Sequence, residues 1–207
     1  MRIAKYAQSC FVLDQPDGGR VAIDVGDIGQ GSYDVDLFGS LDAVLFTHRH
    51  SDHLDRALVD TFISRDVSLY GNRDVCELLA GCPVIEVKSD ESMVVADFEI
   101  LPVDLPHCLM VDGTPGPPNT GFLVNQRFFH PGDGVMTPRV RPAALGVPIA
   151  GPSISFRDAY LMVESLGPDV VLPMHYDVYP ADPHRFAAAC SHIARVLVPN
   201  YGEWIEL

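Results

Sequence analysis

The segment Thr47-His48-Arg49-His50-Ser51-Asp52-His53-Leu54-Asp55 concentrates three imidazoles and two carboxylates in the eight positions from 48 to 55. Neutral imidazole and carboxylate together are donors for a borderline divalent ion: zinc first, with manganese and iron also open. A helix could not bring them to one site. Steps of about 100° per residue would set His48 and Asp52 on one side and turn His50 and His53 away. An extended run instead places 48, 50 and 52 together, and a turn into a following helix swings His53 round to join them. A catalytic ion keeps an open position, so further donors are expected elsewhere. Three candidates, His107, Asp133 and His175, each follow a strand-like run: Ile100–Leu105, Arg127–Phe129 and Val170–Met174. Open α/β sheets place their ligand crevice at the carboxyl ends of strands, so these donors are expected to converge.

The elements that must position them follow from hydrophobic pattern. Arg2–Ala7, Cys10–Leu13 and Val21–Val25 read as strands, with a turn through Pro16-Asp17-Gly18-Gly19. Leu41–Phe46 is almost continuously apolar, as a strand covered on both faces would be, and Leu54–Ile63 reads as a helix. Val67–Tyr70 and Asn72–Ala80 form a second such unit, punctuated by Gly81 and Pro83. Short strands are expected at Val84–Val87, Met93–Ala96, Phe98–Val103, Gly121–Val124 and Arg127–Phe129, interrupted by a Pro/Gly-rich loop at 113–118. Phe156, Ala159, Tyr160 and Val163 predict a helix feeding the strand Val170–Leu172, followed by a helix over Pro183–Ala194 and a terminal strand. No linker, composition shift or repeat divides the chain. The reading is one α/β domain over 1–207 with two packed sheets.

Composition narrows the function classes. The 207 residues are 47% hydrophobic, enough for a core, and carry 14 basic against 28 acidic side chains for a net charge of -14. That field repels phosphate backbones and anionic bilayers, so neither nucleic acid nor membrane is expected as a partner. Five cysteines without C-x-x-C spacing fit reduced thiols and a cytoplasmic protein. Met1–Tyr6 lacks the apolar core of a signal peptide, and no stretch approaches 18 apolar residues, so a soluble, unprocessed chain is expected.

The ordered set resembles the metallo-β-lactamase superfamily, whose H-x-H-x-D-H signature is complete as His48-Arg49-His50-Ser51-Asp52-His53. The likeness runs through Val21-Ala22-Ile23-Asp24, His107, His130-Pro131-Gly132-Asp133 and Leu172-Pro173-Met174-His175-Tyr176-Asp177. Phe129–Asp133 and Asp182-Pro183-His184-Arg185-Phe186 look most like the compact branch of ascorbate-6-phosphate lactonase-like proteins and related metal-dependent hydrolases. The resemblance implies a four-layer αββα sandwich. It also implies two divalent metal ions, one on His48, His50 and His107, the other on Asp52, His53 and His175, with Asp133 bridging and Asp24 behind the ligands. Two such ions can share a hydroxide and polarise a substrate oxygen. The expected activity is therefore metal-dependent hydrolysis of a small-molecule lactone, phosphoester or related bond, with Asp52, Tyr176 and His184 as candidate catalytic groups. Relatives often carry Gly-His where this chain has Ala7-Gln8, Ser or Thr at Gly134, and a small residue at Arg49, so the substrate pocket is expected to be unusual.

Other readings compete. Superfamily nucleases cut phosphodiesters with similar ligands, but this acidic chain shows no basic track. A redox diiron relative would carry Glu in place of His50. A non-catalytic metal-binding protein is the alternative of a different class. Arg139 and Arg141 are weighed as a grip for an anionic substrate against a plain surface pair. Cys108 is expected to point away from His107 as an inert thiol, and His130 and His192 to pack or face solvent. Gly26–Gly31 follows a strand but misses the nucleotide-loop spacings. A homo-oligomer is in keeping with the chain's size, although no apolar stripe marks its interface.

Overall fold

The computed structural model describes residues 1–16, 18–27 and 32–207. Its elements are β1 (Arg2–Lys5), β2 (Phe11–Asp14), β3 (Arg20–Ile23), a 3₁₀ turn (Val35–Phe38), β4 (Ala43–Phe46), α1 (Arg56–Ser64), β5 (Ser68–Gly71), α2 (Arg73–Leu78), β6 (Val84–Glu86), β7 (Met93–Val95), β8 (Phe98–Asp104), β9 (Thr120–Val124), β10 (Phe128–His130), β11 (Ala144–Pro148), α3 (Phe156–Leu166), β12 (Val170–Met174), α4 (Pro183–Cys190), β13 (Arg195–Val196) and β14 (Trp204–Glu206). Two seven-stranded sheets run β14-β1-β2-β3-β4-β5-β6 and β13-β12-β11-β10-β9-β8-β7. Each is antiparallel over the half that holds its hairpins and parallel from β3 to β6 or from β10 to β13.

The strands read as continuous apolar runs because both faces are covered. Ile3, Phe11, Leu13, Val21, Ile23 and Leu45 meet Phe98, Ile100, Phe122, Val124 and Phe128 in the core between the sheets. Their neighbours Ala4, Val12, Ala22, Val44 and Phe46 point the other way, onto Leu58, Val59 and Phe62 of α1 and Val75 of α2. On the far side, Leu123, Phe129, Leu145 and Val171 pack against Ala159, Met162 and Val163 of α3 and Phe186 of α4. The period of two thus separates three apolar layers and yields the expected αββα sandwich.

Helix ends follow their caps. Asp55 accepts from the Ala57 amide, Ser155 and Asp158 form a capping box, and Gly167 closes α3 in the left-handed conformation. Four elements depart from expectation. The helix over Pro183–Ala194 ends at Cys190, where Ile193 and Ala194 turn back onto the Cys190 carbonyl so that β13 can pair with β12. The 3₁₀ turn, β11 and β13 have no counterpart in the sequence reading. In β11, Gly146 leaves room for the Phe11 and Phe128 rings. Asp17 of the first turn and positions 28–31 of the glycine-containing loop lie outside the described residues. Among the described residues, no helix is long and apolar enough to cross a membrane.

Candidate metal centre

All seven candidate donors stand on loops at the carboxyl ends of strands. β4 ends at Phe46 and the chain runs non-helically until Asp55 caps α1. This loop is fastened on both sides: the His53 and Leu54 amides donate to the His50 carbonyl at 3.0 and 2.9 Å, and Asp55 N–H to Val25 at 2.9 Å. His107 forms an isolated bridge with Gly134, and the Cys108 amide donates to the Asp133 carbonyl at 2.9 Å. Buried Asn119 donates to Leu105 and Pro131 carbonyls and accepts from the Asp133 amide, fixing the turn that carries Asp133. Gly132 in that turn has φ +59°, and an added Cβ would lie 2.2 Å from Asn119 Oδ1, so glycine is required. Asp24 (φ 56°) and His175 (φ 64°) hold left-handed backbone that branched or bulky side chains resist, as functional positions often do.

The donors form two groups, His48/His50/His107/Asp133 and Asp52/His53/His175, each with its ligand atoms within 4.8 Å of one another. His50 Nδ1 lies 3.1 Å from His48 Nε2 and 3.2 Å from His107 Nε2. His175 Nε2 lies 3.1 Å from Asp52 Oδ2. Asp133 reaches both groups: Oδ1 is 3.1 Å from His53 Nε2 and 3.4 Å from His175 Nε2, while Oδ2 is 3.5 Å from His107 Nε2. Around a tetrahedral ion with bonds of about 2.0–2.1 Å, donor atoms stand about 3.3–3.4 Å apart. These separations fit that edge. Among the described residues, buried His53 Nε2 and Asp133 Oδ1 have no hydrogen-bond partner although they face each other, as two donors to a shared cation would.

The opposite nitrogens are already occupied. Thr47 Oγ1 meets His48 Nδ1 at 3.0 Å, Asp24 Oδ2 meets His53 Nδ1 at 2.6 Å, and the Cys108 and Ala150 carbonyls accept from His107 Nδ1 and His175 Nδ1, each at 2.6 Å. Each bond leaves Nε2 facing the cluster, the arrangement that orients metal-ligating imidazoles. Asp24 is fully buried and also accepts from the Thr47 amide and hydroxyl.

Burial pushes the His48 pKa well down, helped by His53, which keeps it a neutral donor. Burial also opposes charge on His53, but Asp133 and Asp24 override it and lift its pKa well above the usual imidazole value. Asp133 is the counterpart: burial would raise it, yet His175 and His53 hold it well below the carboxylate range. Two acids and several bases are thus packed so closely that, without a cation, they must neutralise one another.

A cleft of about 220 Å³ opens over the cluster, lined also by Ser51, Cys108, Leu109, Met110, Pro152 and Tyr179. Several expected residues lie elsewhere. Tyr176 is turned away, its ring under Lys5 Nζ at 4.5 Å and packed on the outer apolar layer. The phenol in the cleft belongs to Tyr179, whose ring stacks on His175 at 5.6 Å and 8°. Residues 177–180 form a turn that carries Tyr179 back over His175, which strand-like alternation does not anticipate. His184 is exposed in the first turn of α4, where its amide donates to Asp182, and it does not line the cleft. Arg49 points out to Asp74 at 2.7 Å. Arg139 and Arg141 line a separate surface hollow with Glu99 and Leu123. Cys108 faces the cleft, contrary to the alternation expected of a strand, because β8 has already ended at Asp104; burial and Asp133 push its thiol up to about 12, so it stays protonated. His130 is fully buried, bonded to the Ser9 carbonyl, and His192 meets Tyr160 at the surface.

Gln8 is a residue the sequence reading passed over. It is buried, has φ 55°, and donates from Nε2 to Asp52 Oδ2 at 2.9 Å. Its carbonyl accepts from the His175 amide at 3.0 Å, and its own amide donates to Asp177, which also accepts from Tyr201 and faces Lys5 Nζ at 3.8 Å. The only sequence signal was the departure Ala7-Gln8 from the pattern of similar proteins.

A family model described as a beta-lactamase superfamily domain matches residues 2–175. A UPF0173 metal-dependent hydrolase of Methanocaldococcus jannaschii is 27% identical, covering 99% of this chain and 100% of its own. Another UPF0173 metal-dependent hydrolase, from Pyrococcus furiosus, is 30% identical over 83% of this chain and 84% of its own. Among solved structures, the metallo hydrolase Igni18 of Ignicoccus hospitalis shares the fold with a TM-score of 0.80 at 24% identity, covering 100% of this chain and 98% of that one.

Proposed function

The chain belongs to the beta-lactamase superfamily, and from that membership and the converging side chains we propose that it is a metal-dependent hydrolase acting on a small molecule through a dinuclear centre. The observation that carries this reading is Asp133, whose two oxygens face different donor groups, so that one carboxylate would serve both ions. His48, His50 and His107 would hold one ion, and Asp52, His53 and His175 the other. Five imidazoles and two carboxylates suit zinc first, while manganese and iron share the same donors. Bound there, two divalent ions would supply a nucleophilic water of lowered pKa and an electrophilic contact for the substrate oxygen.

The chain's own residues do the rest. Asp24, Thr47 and the two backbone carbonyls hold the imidazole tautomers, and Gln8 steers Asp52. The Tyr179 phenol, whose ring lines the cleft beside His175, is the group proposed to hydrogen-bond a leaving oxygen. The acidic chain, and a cleft that neither lysine nor arginine lines among the described residues, argue against a nucleic-acid substrate.

The test is to strip the chain with chelator, restore Zn²⁺ or Mn²⁺, and follow hydrolysis of carboxylic esters, lactones and phosphodiesters by wild type and Asp133→Ala. Turnover restored by metal in wild type and absent from the variant is expected. Equal rates in the two chains would refute the proposal.

A further inference from the structure

A buried cation stands behind the metal centre, and the hydrolase reading gives it no part in the chemistry. Lys5 ends β1 with its side chain fully enclosed. Its ammonium donates to the Tyr6 carbonyl at 2.8 Å, faces Asp177 Oδ2 at 3.8 Å, and lies over the rings of Tyr176 and Tyr201 at 4.5 and 4.8 Å. Holding a charge there opposes folding: burial brings the Lys5 pKa down to about 8, against the pull of Asp177. An apolar side chain of similar size is expected to serve the core at least as well. Stability therefore does not account for the lysine.

Its contacts lead to the donors. Asp177 Oδ2 accepts the Gln8 amide at 2.5 Å while Oδ1 accepts the Tyr201 hydroxyl, and the Gly202 amide donates to the Lys5 carbonyl at 2.9 Å. The carboxylate is thus caught between β1 and the segment before β14. Gln8 passes the constraint on: Nε2 donates to Asp52 at 2.9 Å, the carbonyl accepts the His175 amide at 3.0 Å, and Oε1 accepts the Val178 amide at 3.3 Å in the turn that carries Tyr179. Gln8 and His175 both hold left-handed backbone, at φ 55° and 64°, which persists only where surrounding contacts over-determine it. Resting on the hydrolase reading, we propose that Lys5 and Tyr201 are positioning residues which, through Asp177 and Gln8, set Asp52 and His175 for the second ion. A charge at Lys5 keeps Asp177 in place, Asp177 keeps Gln8 in its left-handed turn, and Gln8 aims the two donors.

The test sets stability against metal affinity. Lys5→Met fills the same space without the charge. Its urea midpoint at pH 7 in excess chelator is expected to equal or exceed that of wild type. Calorimetric titration of the chelator-stripped chain with Zn²⁺ is expected to show the step on Asp52, His53 and His175 weakened about tenfold and the other unmoved. Tyr201→Phe, at a half-exposed ring, weakens the same step. Because the route passes through Gln8, adding Lys5→Met to Gln8→Ala costs no further affinity. A Lys5→Met chain that is less stable or unfolded, that weakens both steps alike, or that binds Zn²⁺ as wild type does overturns the inference. So does a double variant in which the two losses multiply, or a Tyr201→Phe chain with both steps unmoved. Each of these leaves the hydrolase reading standing, provided wild type takes up two ions; a folded wild-type chain that binds no Zn²⁺ overturns both.

Discussion

Replacing Asp24 with Asn tests how the donors are held without touching any of them. The carboxylate accepts three bonds: Oδ1 takes the Thr47 amide at 2.8 Å, and Oδ2 takes the Thr47 hydroxyl at 2.7 Å and faces His53 Nδ1 at 2.6 Å. An amide keeps only one acceptor oxygen. If that oxygen stays on the Thr47 amide, the new NH₂ faces His53 Nδ1, which must then accept, and the imidazole proton moves to Nε2, the nitrogen aimed at Asp133. If the amide flips, its NH₂ meets the Thr47 N–H donor to donor. Either arrangement loses a hydrogen bond to a charged group, worth about 1.5–3 kcal/mol. Through the tautomer, the expected loss is about 10–100-fold in metal affinity, equivalent to about 1.4–2.7 kcal/mol. Titrating chelator-stripped Asp24→Asn with Zn²⁺ by calorimetry reads this directly, and far-ultraviolet circular dichroism in excess chelator checks that the sandwich still forms. Wild-type affinity at every site in a folded variant would refute the role given to Asp24.

Gln8→Ala removes the 2.9 Å bond to Asp52 and, on the proposed dinuclear reading, should weaken the ion expected on Asp52, His53 and His175 about tenfold while sparing the other; two-step Zn²⁺ titration with both steps unmoved would contradict this. Lys5 is buried and its pKa is lowered to about 8, burial outweighing Asp177. Below pH 8 it is charged in both folded and unfolded chains; between pH 8 and about 10.5 the unfolded chain binds more protons there, so Lys5 makes stability rise with pH by up to about 3 kcal/mol. Urea unfolding at pH 7 and pH 10 should show that Lys5→Met removes this increment, and an identical pH response in both chains would count against it. Gly132→Ala combines a left-handed backbone with a Cβ 2.2 Å from Asn119 Oδ1, so a loss of about 3 kcal/mol is expected in the same assay, against the negligible change of an unstrained site.

The chemistry was easier to read in the sequence than the pocket. His48, His50, Asp52 and His53 are local in the chain, and no regular element can present them together, so their loop follows from residue spacing alone. His107, Asp133 and His175 were legible because each follows an apolar strand, and parallel strands deliver their ends to one edge. What escaped depends on backbone paths without periodic signature. Tyr179 reaches the cleft through the turn at 177–180, and Gln8 through a left-handed residue between β1 and β2. The Ala-Leu-Gly-Val-Pro run of β11 is wholly buried and so shows no alternation, while its Gly and Pro argue locally against a strand. Ser155, Asp158 and Gly167 bound α3 by their own chemistry; α4 ends early because β13 claims the residues after it.

Elemental analysis of the folded chain after saturation with Zn²⁺ and desalting, for wild type and Asp133→Ala in parallel, bears most directly on the paired donor groups. Two ions per wild-type chain are predicted, with fewer than two retained once the shared carboxylate is gone. A folded wild-type chain that retains none, or a variant that still retains two, would contradict it.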